Sequence, residues 1–184
     1  MSDIEHMKLA EVARMLRREV RRRFPKHRLS VRCGHPAGTG GITITWEDGP
    51  TTEEVRRMVT SFEAVEGTPI LLSVPGRTMP ALVHFHCGAI DLSRTVTDRR
   101  VAEHITAVAH ENPGLLPAEV ASRIVAAVGD PQAVLDAAAG VDVPPTDLLF
   151  AGDHRLTGAD LMDMGRGLPW LGRVLAQRTS YPAQ

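Results

Sequence analysis

The sequence predicts an α+β fold, α/β in the broad sense, with a small sheet covered by helices and a helical C-terminal region. Three observations carry this. Apolar residues recur at helical spacing between residues 9 and 24. Two alternating stretches, Leu29-Ser30-Val31-Arg32-Cys33 and Ile42-Thr43-Ile44-Thr45-Trp46, flank a glycine-rich loop. Beyond residue 114 alternation fades, and Ala/Val-rich segments with proline near their first turn replace it. The expected order is α-β-β-α-β-(β)-α, with a small and mostly antiparallel sheet.

A first helix is expected over residues 7–24. Leu9, Val12, Ala13, Leu16, Val20 and Phe24 form its apolar stripe, and Pro25 ends it. Its opposite face carries Arg14, Arg17, Arg18, Arg21 and Arg22, with Arg23 at the margin; Glu11 and Glu19 neutralise part of that charge. The two alternating stretches read as a hairpin with one apolar face and one face presenting Arg32, Thr43 and Thr45. Its loop, Gly34 to Gly41, is too long for a two-residue turn. Asp48-Gly49-Pro50 is turn chemistry, and Thr51 or Thr52 with Glu54 makes a capping box. A second helix over 52–64 follows, with Val55, Met58, Val59 and Phe62 on its apolar side. Ile70 to Val74 and Ala81 to Cys87 read as strands. Asp98 is the expected cap of a third helix that buries Val101, Ile105, Val108 and Ala109 and breaks at Pro113-Gly114. Helices are then expected over 117–128, 131–139, 157–165 and 168–177, with 141–150 as connector. The break at Asn112-Pro113-Gly114 divides the chain into a domain of residues 1–112 and a helical region of residues 113–184. Leu16, Val20, Val31, Ile44, Trp46, Val59 and Phe62 should share one core.

Of the 184 residues, 43% are hydrophobic and 23% charged, the balance of a folded chain. A net charge of −1 excludes a protein that coats nucleic acid over its whole surface but permits a local patch. Lys8 and Lys26 are the only lysines, and a preference for arginine follows equally well from base composition. Two cysteines, no long apolar run and no charged-then-apolar leader lead to the expectation of a cytoplasmic protein without membrane association or disulfides.

No stretch carries a catalytic signature, and no cofactor is expected. The glycine-rich loop lacks the Gly-Lys-Ser/Thr ending of a phosphate-binding loop and leads into a strand. His84, His86 and Cys87, with Cys33, His27 and His35, are the residues whose types suit a metal. Strand alternation aims His84 and His86 to one face and Cys87 to the other, and CxxC or HxxxH spacing is missing. The cysteines then read as buried thiols. Asp153-His154, Asp160 and Asp163 could be written as acid–base partners, but such residues are commonplace on turns and polar helix faces. Trp46 and Trp170 read as packing residues, and an aromatic content of 4% is too sparse for a base-stacking platform. The arginine face is the better candidate: Arg14, Arg18, Arg21 and Arg22, with Arg32 on the hairpin, give guanidinium groups suited to phosphates.

The stretch from Ala10 to Phe62 resembles the family called large polyvalent protein associated domain 29. The resemblance rests on Arg23-Phe24-Pro25, the strand Leu29-Ser30-Val31-Arg32, the glycine-rich loop, and Trp46-Glu47-Asp48-Gly49-Pro50-Thr51 before an acidic helix start. Ile90-Asp91-Leu92-Ser93-Arg94-Thr95 with Thr97-Asp98 is similar to that family's downstream strand, so residues 8–110 are covered. The resemblance implies an accessory domain of long proteins from phages, plasmids and conjugative elements, with no catalytic residues to carry over. The leading reading is a non-enzymatic accessory protein of a mobile element that binds nucleic acid or a protein partner through the arginine helix and the hairpin face. A small hydrolase using His84, His86 and Cys87, with or without a metal, and a structural oligomerisation module are the alternatives.

Overall fold

The apolar stripe of the first helix forms α1 (Leu9–Arg23), in which Val12, Ala13, Leu16 and Val20 are buried. The Glu11 carboxylate accepts the Lys8 backbone N–H at 3.0 Å, and the Phe24 N–H closes the last turn on the Val20 carbonyl at 2.8 Å. The computed structural model describes residues 5–34, 41–62, 70–72, 81–85, 89–112, 114–143, 149–151, 154–156 and 167–182. For residues 5–6, 70–72, 81–82, 84–85, 149–151 and 154–156 it describes the backbone alone.

Strands β2 (Ser30–Cys33) and β3 (Ile42–Glu47) pair antiparallel with Val31 opposite Ile44. The Gly34 N–H donates to the Gly41 carbonyl at 2.9 Å across the base of the loop. On its other side β3 runs parallel to β6 (Ile90–Thr95), which aligns Ile42 with Ile90, Ile44 with Leu92 and Trp46 with Arg94. Alternation therefore gathers Val31, Ile42, Ile44, Trp46 and Ile90 on one buried face and leaves Arg32, Thr45 and Glu47 exposed on the other. Between β3 and β6 the chain forms α2 (Thr52–Val59), which tightens into a 3₁₀ turn over Thr60–Phe62. Thr51 is its cap. Its Oγ1 accepts the Glu54 N–H at 3.2 Å, and the Glu54 carboxylate accepts the Thr51 N–H at 2.6 Å.

A second small sheet follows the order β1 (Glu5–Met7), β5 (Ala81–Phe85), β4 (Ile70–Leu72), with β1 parallel and β4 antiparallel to β5. Met7 and Val83 join the same cluster as Leu16, Val20, Val31, Ile44, Trp46, Val59 and Phe62, so the seven expected core residues do pack together. The α+β class stands. Each three-stranded sheet joins one parallel to one antiparallel pair, so these sheets are mixed rather than mostly antiparallel.

Two compact units result: residues 1–95 with 181–184, and residues 96–180. The second contains α3 (Asp98–Glu111), α4 (Ala118–Ala126), α5 (Pro131–Ala138), a hairpin of β7 (Leu149–Ala151) and β8 (His154–Leu156), and α6 (Gly167–Arg178). Sequence placed α3 at the end of the first domain; its packing is against α4, α5, α6 and β7. The Asn112-Pro113-Gly114 break joins two helices of one unit. Thr97, not Asp98, caps α3, its Oγ1 accepting the Arg100 N–H at 3.4 Å. Asp98 is the first helical residue, where a carboxylate favours the positive end of the helix dipole. The β7–β8 hairpin corrects the expectation of a purely helical C-terminal region: Leu149 and Phe150, read as connector, belong to a strand. The helix expected over 157–165 lies outside the described residues.

Two stability predictions follow from the packing. Trp46 is 5% exposed and its indole Nε1–H donates to the Pro50 carbonyl at 2.8 Å. Trp46→Ala should lower unfolding free energy in urea by about 3–5 kcal/mol, and a loss under about 1 kcal/mol would show a non-core site. Gly172 on α6 lies so close to α3 that a Cβ there would sit 2.6 Å from Ile105 Cγ1 and 3.0 Å from the Val101 carbonyl oxygen. Gly172→Ala should therefore destabilise by about 1–3 kcal/mol, measured in the same way, even though alanine has the higher helix propensity.

Candidate nucleic-acid interface

Helix α1 holds six arginines against two glutamates. Arg14, Arg18 and Arg21 follow i, i+4, i+7 spacing with Arg22 beside them, so all four fall on the side opposite Val12, Leu16 and Val20. All four are exposed, along about 12 Å of helix. Among the described residues Arg14, Arg18 and Arg21 have no ion pair, whereas both Arg22 Nε (2.9 Å) and Nη2 donate to the Glu19 carboxylate. The Arg22 hydrogen bond holds the Glu19 carboxyl below its ordinary value, against the smaller upward push of partial burial. A depressed carboxyl adds stability above its unfolded pKa and loses it as pH falls through the folded one, but so exposed a pair adds little.

Arg17 is set apart from the stripe: its Nε donates to the Val31 carbonyl at 3.1 Å on the outer edge of β2. Arg32 is exposed, but it projects from the sheet face opposite the one that carries Val31 and Ile44. Arg14, Arg18, Arg21 and Arg22 thus share one side of α1, whereas Arg32 belongs to the polar face of the sheet. Thr45 is exposed on the face of Arg32, and half-buried Thr43 donates its hydroxyl to the Gly34 carbonyl at 3.4 Å.

A second arrangement surrounds the turn after β3. Asp48 (φ 48°) and Gly49 (φ 63°) are both left-handed, a conformation easy for glycine and tolerated by aspartate. A Cβ on Gly49 would lie 2.9 Å from His27 Nδ1. From β6 the Arg94 guanidinium donates to the Asp48 carbonyl through Nε and to the Gly49 carbonyl through Nη2, both at 3.0 Å. Burial pushes this guanidinium below its ordinary value, the Tyr181, Asp48 and Glu54 charges opposing it. Tyr181 lies under it, ring centroid 5.5 Å from Cζ, and donates its backbone N–H to the Gly49 carbonyl at 2.9 Å. Thr95 Oγ1 donates to the Trp46 carbonyl at 3.3 Å.

The family model described as large polyvalent protein associated domain 29 matches residues 7–97. Residues 7–97 belong to this family. The polyvalent-protein-associated domain thus ends within two residues of the first compact unit, at Thr95, and short of residue 110. No curated protein and no solved structure matches the chain. Of the residues that carry the resemblance, Trp46, Asp48, Gly49, Thr51 and Arg94 are engaged in holding the turn together.

Among the described residues of the domain and beyond it, no group of three or more His, Cys, Asp or Glu is placed to hold a metal ion. His35, His86, Cys87, Asp153, Asp160, Asp163 and the side chains of His84 and His154 lie outside the described residues. Cys33 was expected to be a buried thiol and is exposed, its Sγ 3.9 Å from the Leu9 carbonyl, because β2 is an edge strand that ends there. Trp170 is half-buried. Sequence reasoning gave no role to Arg17, Arg94 or Tyr181. The signal for Arg94 was its phase, since it shares a strand face with Ile90 and Leu92. Arg94→Met removes both donors from the left-handed turn and should cost about 1–3 kcal/mol in urea unfolding. Arg94→Lys should recover only part of that loss, because an ammonium cannot span both carbonyls as a planar fork does.

Proposed function

We propose that the polyvalent-protein-associated domain of this chain is a non-enzymatic accessory module of a mobile element, one that binds the phosphate backbone of nucleic acid through Arg14, Arg18, Arg21 and Arg22. The observation that supports this reading is the exposed stripe on α1, three of whose four guanidinium groups have no ion pair among the described residues. A guanidinium held on a helix presents paired N–H donors that match phosphate oxygens. The stripe sits on a rigid support, since Val12, Leu16 and Val20 fix the helix to the core and Arg17 ties it to β2. Phosphate contacts of this kind position a protein without reading sequence. Arg32, exposed on the polar face of the sheet, would add a further guanidinium.

Fluorescence anisotropy with labelled single- and double-stranded DNA and RNA tests the proposal. Four neutralised phosphates on duplex DNA give a log–log salt slope near −3.6, so affinity should fall about 10²-fold between ~50 and ~200 mM salt. Changing Arg14, Arg18, Arg21 and Arg22 together to Gln should weaken binding on every sequence with little change in unfolding midpoint, because Gln keeps length and helix propensity. Glu19→Gln, which frees Arg22, should instead strengthen binding. Absence of any retention at ~50 mM salt would refute the proposal.

A further inference from the structure

Tyr181 is 84 positions beyond Thr97, where the family match ends, yet it is buried in the unit that the matched domain forms. The two contacts described for it, to the Arg94 guanidinium and to the Gly49 carbonyl, are both made by the domain. The Arg94 guanidinium spends its Nε and Nη2 donors within its own plane on the Asp48 and Gly49 carbonyls, which leaves a flat cationic face for an aromatic ring. The Gly49 carbonyl oxygen has a second lone pair, and that lone pair takes a backbone N–H from the incoming segment. The incoming segment is pre-shaped for this role, since Pro182 restricts Tyr181 to extended backbone. One backbone hydrogen bond for register and one side-chain anchor for selectivity are the components of peptide recognition.

We propose that the surface formed by Asp48, Gly49 and Arg94 is a docking site for an extended Tyr-Pro segment, filled in this chain by its own Tyr181-Pro182. The site takes an unmodified tyrosine whose ring covers the guanidinium and whose N–H reaches Gly49. It is distinct from the arginine stripe of α1 and holds whether or not that stripe binds nucleic acid.

The test is a titration of full-length, isotope-labelled chain carrying Tyr181→Ala with a synthetic peptide of residues 178–184, read by NMR. Saturable shifts should be confined to residues 48–51, Arg94 and the Trp46 indole, and a peptide with alanine in place of tyrosine should give none. The unaltered chain should bind the peptide at least about tenfold more weakly, because its own segment competes at the millimolar effective concentration of a tethered ligand. A folded Tyr181→Ala chain that shows no shifts overturns the proposal. If that variant does not fold, hydrogen exchange on the unaltered chain decides. The Tyr181 amide should exchange at least about tenfold faster than the amides of β3, and exchange at the same rate would make Tyr181 an inseparable part of the core and overturn the proposal.

Discussion

A chain that leaves β3 at Glu47 must reverse within four residues to begin α2 at Thr52, and the left-handed pair Asp48-Gly49 makes that reversal. Left-handed backbone turns carbonyl groups outward that would otherwise pair within a strand or helix, and those carbonyls need donors. Arg94 supplies two, the Trp46 indole satisfies Pro50, and Thr51 is left positioned to cap α2. Because Arg94 lies on β6 and Trp46 on β3, the same contacts fix the parallel register of the two strands. The sheet, the start of α2 and the burial of Trp46 are thus consequences of one turn.

The N-terminal unit was legible wherever periodicity was long enough. The stripe of Leu9 to Phe24, the alternation of Val31 and of Ile42 to Trp46, and the box of Thr51 with Glu54 each commit several residues to one answer. What was not legible is short or long-range. β1, β7 and β8 have three residues each, too few for alternation to show. A trace of the last hairpin existed, since Gly152-Asp153 between short runs is a two-residue turn signal, but Pro144 and Pro145 favoured a connector. The assignment of α3 to the second unit depends on which helices cover Val101, Ile105 and Val108, and spacing cannot say that. The arginine stripe was visible because helical geometry is local, and the polar face on which Arg32 lies was visible because strand alternation is local too.

Helix α1 combines two different uses of one residue type. Arg17 occupies an edge-strand carbonyl that would otherwise be open to another chain, a common way of blunting a sheet edge. Arg14, Arg18 and Arg21 point away from the core, free of that task. Glu11 near the start and Arg21, Arg22 and Arg23 near the end also suit the helix dipole, so part of the charge pattern supports the helix itself. Among the described residues no helix is long and apolar enough to cross a membrane.

The chain departs from the first unit at Thr95 and rejoins it at Tyr181, which makes residues 96–180 a closed excursion between two fixed points. The entropy of closing such an excursion grows only logarithmically with its length, by about 0.6 kcal/mol for each doubling. By chain statistics alone, the seam at Arg94 and Gly49 is therefore almost indifferent to how much polypeptide lies between its halves. A domain fastened in this manner can host inserts of very different size while its own end remains closed.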